Sequence, residues 1–280
     1  MRGIAFATIK GGVGKTASSA HVAYALSEIG PTLFVDLDPQ GNGSRLLGVD
    51  ATPQTALAGD LLKPKPPSLR SVAVQQYDNL WVAPAHLRMA REEPQLYQWS
   101  YAVMGLQNAI AGYETLFDYV VVDTGPHLSC FTRSALHAAD LVMVPIPPQA
   151  GAYDGALYLA NEVSSIEEAR GSPIEICGFI SWADARNRVE NRTWEKLGDA
   201  VPFPILETKI ARRNGVNKAG LEYKLIFETA EHSSQAAEDY RALAQEIQIR
   251  VSTDGLETIV DNAPSSEAAP TVIMGVGDGG

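Results

Sequence analysis

The residues Lys10-Gly11-Gly12-Val13-Gly14-Lys15-Thr16 put two cations, three glycines and a hydroxyl into seven positions. That combination suits a bound anion. Glycines carry no side chains, so backbone N–H groups can wrap a phosphate. A lysine neutralises phosphate oxygens, and a threonine hydroxyl is a natural Mg²⁺ ligand. Ahead of the stretch, Gly3 to Thr8 reads as a short buried strand. Behind it, Ala17 to Ile29 reads as a helix with Ala20, Ala23 and Leu26 turned inward. A strand, a glycine turn and a helix opening at Lys15-Thr16 make a phosphate loop, and the helix N-terminus adds partial positive charge. Nucleotide contacts are expected from Lys10, Gly11, Gly12, Val13, Gly14, Lys15, Thr16 and Ala17.

Two further strands end in acids. Pro31-Thr32-Leu33-Phe34-Val35-Asp36 reads as a strand and runs into Leu37, Asp38 and then Pro39-Gln40-Gly41-Asn42. Asp36 and Asp38 alternate along an extended chain, so both point the same way. Asp118-Tyr119-Val120-Val121-Val122-Asp123-Thr124 carries three valines in a row, as a strand buried on both faces would. Asp123 stands at its carboxyl end, where a parallel sheet holds its ligand and where an acid of this kind fixes Mg²⁺ through water.

The general pattern G-x-x-x-x-G-K-[ST] asks for glycine where this chain has Ile9, and the next residue is a second lysine. With that lysine, the loop resembles the deviant phosphate loop of the ParA/MinD family of ATPases at every fixed position. The Val-Asp-Leu-Asp-Pro-Gln-Gly-Asn run and the strand ending in Asp123 resemble that family's next two motifs. The family usually has Thr-Pro-Pro after the last acid; here it is Thr124-Gly125-Pro126. The likeness extends over roughly residues 3–249.

The resemblance implies an ATPase using ATP and Mg²⁺, with Lys10, Lys15 and Asp38 as its catalytic set. Lys15 holds phosphates, Thr16 binds the metal, Asp36 and Asp123 fix the metal's waters, and Asp38 orients the attacking water. Lys10 matches a lysine that reaches the partner's phosphates when two chains sandwich two ATPs. It therefore implies an ATP-bound homodimer. It also implies non-specific DNA binding and a ParB-like or cargo-adaptor partner that stimulates hydrolysis. The expected role is partition of plasmid or chromosome DNA by a cytoplasmic, nucleoid-associated protein. Positioning of a protein cargo, such as a carboxysome or a chemotaxis cluster, is the alternative. The family holds adenine near positions that here fall at Ser181-Trp182-Ala183 and Thr208-Lys209-Ile210.

Nine of the chain's 22 basic residues lie between Arg186 and Lys224. Arg186, Arg188, Arg212, Arg213 and Lys218 are the candidates for phosphate contacts, which need charge and reach but no reading helix. Arg212 matches the family's late arginine, whereas Gly215 and Lys218 stand where arginine and glutamate are common. The net charge of −11 argues against indiscriminate nucleic-acid binding but leaves room for such a local patch.

The positioning elements follow from the pattern. The chain's 280 residues, 45% hydrophobic, suit one large α/β domain or two small ones. Further strands are expected at Asn79 to Ala85, Asp140 to Pro145, Ile174 to Ser181 and Pro204 to Lys209. Helices are expected at Gln95 to Thr115, from about Tyr153 to Arg170, and over 234–249. Strand–helix alternation predicts a doubly wound, mostly parallel sheet with helices on both faces. The expected division is an ATPase domain over 1–250 and a flexible tail over 251–280, which has five acids and no Lys or Arg. A MinD-like membrane cycle needs a basic amphipathic C-terminal helix, which that composition disfavours. No apolar run approaches the ~18 residues of a bilayer span, and the chain enters a strand at once, so no signal peptide is expected. Cys130 and Cys177 lack metal-ligand spacing, and Cys130 beside His127 reads as packing rather than as a nucleophile.

Overall fold

The structure is a computed structural model that describes residues 1–149, 151–183 and 201–252. Its strands are β1 (Arg2–Phe6), β2 (Thr32–Leu37), β3 (Val74–Tyr77), β4 (Leu80–Ala83), β5 (Tyr119–Thr124), β6 (Leu141–Ile146), β7 (Glu175–Ala183) and β8 (Ile205–Ala211). Its helices are α1 (Lys15–Ser27), α2 (Asn42–Leu46), α3 (Leu69–Val72), α4 (Arg88–Leu96), α5 (Gly105–Ile110), α6 (Cys130–Ala138), α7 (Ala152–Arg170), α8 (Asn214–Leu221) and α9 (Gln235–Val251).

The eight strands form one sheet in the order β3-β4-β2-β5-β1-β6-β7-β8. All pairs are parallel except β3 with β4, a hairpin that closes one edge. β1 lies between β5 and β6: the chain first runs from β1 to β2 and β4 on one side, and later crosses from β5 past β1 to β6 on the other. That reversal opens a crevice at the strands' carboxyl ends, where open α/β sheets place their ligands.

Side-chain alternation separates two cores. Ala5, Val35, Val120 and Val122 face one layer with residues of α4 to α7. Ile4, Phe6, Phe34 and Val121 face the other, which α1 and α9 cover. Central strands buried on both faces read as unbroken apolar runs for this reason. On α9, Ala237, Tyr240, Leu243, Ala244 and Ile247 make the buried stripe, as the helical spacing predicts.

The expected long helix from Gln95 to Thr115 is not one element. α4 stops at Leu96, two residues after Pro94, which has no N–H for the helix ladder. A 3₁₀ turn over Ala102–Met104 leads into α5, and Gly112, at φ +87°, follows its end in the left-handed region. The β3 hairpin strand and α8 were not anticipated; both are short, and their apolar periodicity is weak. α9 closes at Val251, so 253–280 of the expected tail lie outside the described residues.

Candidate functional site

The loop between β1 and α1 has the backbone its glycines allow. Gly12 and Gly14 both take left-handed conformations, at φ +72° and +81°, which L-residues with side chains avoid. Gly14 is the N-cap of α1, and no side chain caps the helix there. The first turn contains no acid either. The first amides of a thirteen-residue helix are thus left for an anion from outside. Ile9, in the place of the general pattern's glycine, packs its Cγ1 against Gly155 of α7.

Behind the loop, the strand ends bring the expected groups together. Lys15 and Asp123 form a 3.0 Å ion pair with side-chain exposures of 7% and 0%. Asp123 uses only Oδ1; its Oδ2 is buried without a hydrogen-bond partner. Asp36 and Asp123 are paired across β2 and β5. Both Asp36 oxygens accept hydrogen bonds. Oδ2 takes the Ser44 N–H at 2.8 Å and the Ser44 hydroxyl at 2.7 Å, and Oδ1 takes the Asp38 N–H at 3.1 Å. Burial, and then the Asp123 charge, push the Asp36 carboxyl up to about 7. Asp38 is also raised, chiefly by burial, although the Gln40 N–H at 3.0 Å and the Lys15 and His127 charges pull it back.

Three buried carboxylates against one buried lysine leave the crevice short of positive charge. A divalent cation fits that imbalance and the orphaned Asp123 Oδ2. Among the described residues no three His, Cys, Asp or Glu side chains form a metal cage. The remaining ligands therefore have to be a hydroxyl, such as that of Thr16 at the start of α1, together with water and phosphate oxygens. Mg²⁺ characteristically takes such a set.

Lys10, unlike Lys15, is partly exposed. Its ammonium donates to Gln149 Oε1 at 3.1 Å. The nucleoside candidates separate: Trp182 lies against Gly14, whereas the Thr208 N–H and hydroxyl both donate to Glu246 on α9, at 2.9 and 2.7 Å. Of the basic candidates, Arg212 stands over the Trp182 ring, Arg213 pairs with Asp239 at 3.3 Å, and Lys218 is on α8. Arg186 and Arg188 lie outside the described residues. Burial pushes the Cys130 thiol up to about 11. It is therefore a poor nucleophile at neutral pH.

Sequence reasoning missed Ser44 and Gln149. Ser44 follows Asp36 by eight residues and looks like any loop serine. Its hydroxyl also accepts the Ala85 N–H at 3.0 Å, so it joins β2, α2 and the end of β4. No spacing rule marks such a residue.

Comparison with known proteins places the chain as a whole. Residues 1–176 match the AAA domain family model. Residues 107–260 match the model described as 4Fe-4S iron sulfur cluster binding proteins, NifH/frxC family. Cys130 and Cys177 are buried in opposite layers of this sheet, so these two thiols do not converge on a cluster. A ParA family protein of Chlamydia pneumoniae is 30% identical over 254 residues, covering 89% of this chain and 97% of its own length. The sporulation initiation inhibitor protein Soj of Bacillus subtilis is 29% identical over 246 residues, with 87% and 97% covered. Among solved structures, apo McdA from Cyanothece superposes with a TM-score of 0.77 at 18% identity over 89% of this chain and 99% of that one. Cobyrinic acid a,c-diamide synthase from Mycobacterium smegmatis, bound to ADP and magnesium, gives 0.75 at 25% identity over 89% and 95%. With its two-lysine loop, its acids at the strand ends and a family relative matched along nearly its whole length, this chain belongs to the ParA family of P-loop ATPases.

Proposed function

We propose that this chain is a partition ATPase that binds MgATP, dimerises with it, and binds DNA without sequence preference while the nucleotide is intact. One observation carries the proposal. Among the described residues, Lys15 is the only cation ion-paired within the buried cluster of Asp36, Asp38 and Asp123, beside a helix N-terminus with no side-chain cap. The reading agrees with a relative named as a chromosome partitioning protein and with nucleotide-bound neighbours of the same fold.

The chain's own groups divide the work. The loop amides and Lys15 grip phosphate oxygens, Lys15 exchanging a carboxylate for them. The Thr16 hydroxyl and Asp123 hold Mg²⁺, and Asp36 keeps β2 and α2 in place through Ser44. When bound, Mg²⁺ neutralises charge on the β- and γ-phosphates. Asp38, at the strand end beside Gly125, aligns water for in-line attack. Lys10, partly exposed and with its ammonium bonded to Gln149, serves a second chain's phosphates. A cation supplied across an interface makes nucleotide binding and dimerisation one event.

Arg212, Arg213 and Lys218 then present DNA-facing charge from each protomer, with Arg186 and Arg188. Two patches on one duplex release about twice as many counterions as one, so affinity rises steeply on dimerisation. The partner that speeds hydrolysis is an adaptor on the cargo. A relative named as a cell division protein, 28% identical over 86% of this chain, supports a cargo other than DNA as the alternative, such as a protein assembly. The ATPase domain is 1–250, and 251–280 form an acidic tail.

A gel-shift assay with unrelated DNA fragments tests the switch. Binding is expected with a slowly hydrolysed ATP analogue and not with ADP, and it weakens sharply as salt rises. Equal binding in both nucleotide states overturns the switch, and no binding in either favours a protein surface as the track.

A further inference from the structure

Trp182 is held in an unusual way. β7 and β8 change register between Ser181 and Ala183, which pair with the consecutive residues Ile210 and Ala211. Trp182 is therefore the extra residue of a bulge, a device that re-aims a side chain beside a functional site. Its φ of +57° is left-handed, a conformation so large a side chain rarely takes. The indole lies flush on the phosphate loop: a Cβ added to Gly14 would overlap its Nε1 and Cδ1. The Arg212 guanidinium stands 5.4 Å from the ring centroid, within cation–π range. Strain of this kind persists only where the surroundings hold it. Here a left-handed Trp182 leans on a left-handed Gly14, the residue whose backbone aims the first amides of α1.

We infer that Trp182 is a positioning residue of the nucleotide site, backing Gly14 and holding the phosphate loop in its left-handed form, with Arg212 steadying the ring. This rests on the phosphate-loop reading above. A loop already held in its binding conformation loses less chain entropy when it closes on phosphate. Arg212 also extends the effect outward. An anion that draws its guanidinium away withdraws the cation from the ring, giving the protein surface a route to the loop.

The test is calorimetry on the full chain with MgATP and, separately, with inorganic tripolyphosphate and Mg²⁺. A wild-type chain that binds neither brings down the phosphate-loop reading itself. Given wild-type binding, Trp182→Ala should weaken both probes by a similar factor, on the order of tenfold, and Trp182→Phe should keep most of the affinity. In turnover, KM for ATP should rise in Trp182→Ala with kcat little changed. The nucleotide-induced change in tryptophan emission should vanish in Trp182→Phe, although Trp81, Trp99 and Trp194 remain. A loss confined to ATP would assign the ring to the base and overturn the inference, as would unchanged affinity for both probes. If Trp182→Ala does not fold, Arg212→Gln carries the test. It should weaken both probes by a smaller, equal factor, and unchanged affinity there overturns the paired assignment.

Discussion

Helix α1 passes through two buried polar regions that differ in one respect. At its first residue, Lys15 pairs with Asp123 in a cluster that also buries Asp36 and Asp38, and one Asp123 oxygen has no partner. Six residues on, His21 is just as deeply buried but fully satisfied. Its Nδ1 donates to the Ala17 carbonyl at 2.6 Å, its Nε2 accepts the Ile226 N–H at 2.9 Å, and its ring stacks on Tyr240 at 4.2 Å. Both regions bear the cost of removing polar groups from water. Around His21 the protein recovers that cost itself and ties α1 to the C-terminal segment. Around Lys15 it does not, and the shortfall is what MgATP supplies. Of these two clusters, the one left unsatisfied lies at the nucleotide site and the complete one secures the packing of α1.

Lys15→Ala breaks the first region most severely. It removes the cation for several phosphate oxygens and leaves Asp123 unpaired. ATP affinity should fall at least about a hundredfold, read by calorimetry; near-normal affinity would erase the contrast between the regions. Asp38→Ala is more selective. Hydrolysis should drop by about a hundredfold or more while ATP still drives dimerisation. Sedimentation with ATP and Mg²⁺ checks this, and a monomer under those conditions contradicts the assigned role.

The smallest effect is on stability, and its sign separates the two regions. Burial lowers the His21 pKa from 6.5 to about 4, so folding favours the neutral ring. Its contribution is complete above pH 6.5 and is lost as pH falls toward 4, up to roughly 3 kcal/mol. Asp36, raised to about 7 in the nucleotide-free chain, favours its protonated form. Its contribution is present at low pH and is lost as pH rises from about 4 to 7. Denaturant unfolding across this range should show the wild-type advantage over His21→Phe shrinking as pH falls. Asp36→Asn should remove the opposite trend. Slopes of the same sign in the two comparisons would show that the regions are not electrostatically distinct.

Much of the first region was legible in the sequence. Gly12, Gly14, Lys15, Asp36 and Asp123 belong to local strand–turn patterns whose chemistry follows from spacing. The parallel sheet follows from the valine-rich strands that end in acids. The second region was not legible, because His21, Ile226 and Tyr240 come together only through packing across more than two hundred residues. Ser44 and the Trp182 bulge were invisible for a related reason. A bridging serine and a ladder irregularity each depend on a neighbour that no local pattern names. The helix expected over Gln95 to Thr115 failed on local chemistry that was visible, since Pro94 and Gly112 bracket the segment.

The placement of β1 has a consequence for how the protein is made. The strand leading into the phosphate loop pairs with β5, beginning at Arg2↔Tyr119, and with β6, beginning at Ile4↔Leu141. The first hundred residues emerging from the ribosome therefore contain a nucleotide motif with neither of its flanking strands. β2 can meet β4 early, but β1 must wait for a chain nearly half as long as the finished protein. Such non-local pairing is slow to form, and N-terminal segments that await distant partners leave apolar surface open to aggregation. Nascent chains released before Ile146 should be insoluble and blind to ATP, whereas chains carried past β6 gain the centre of the sheet and the nucleotide crevice together.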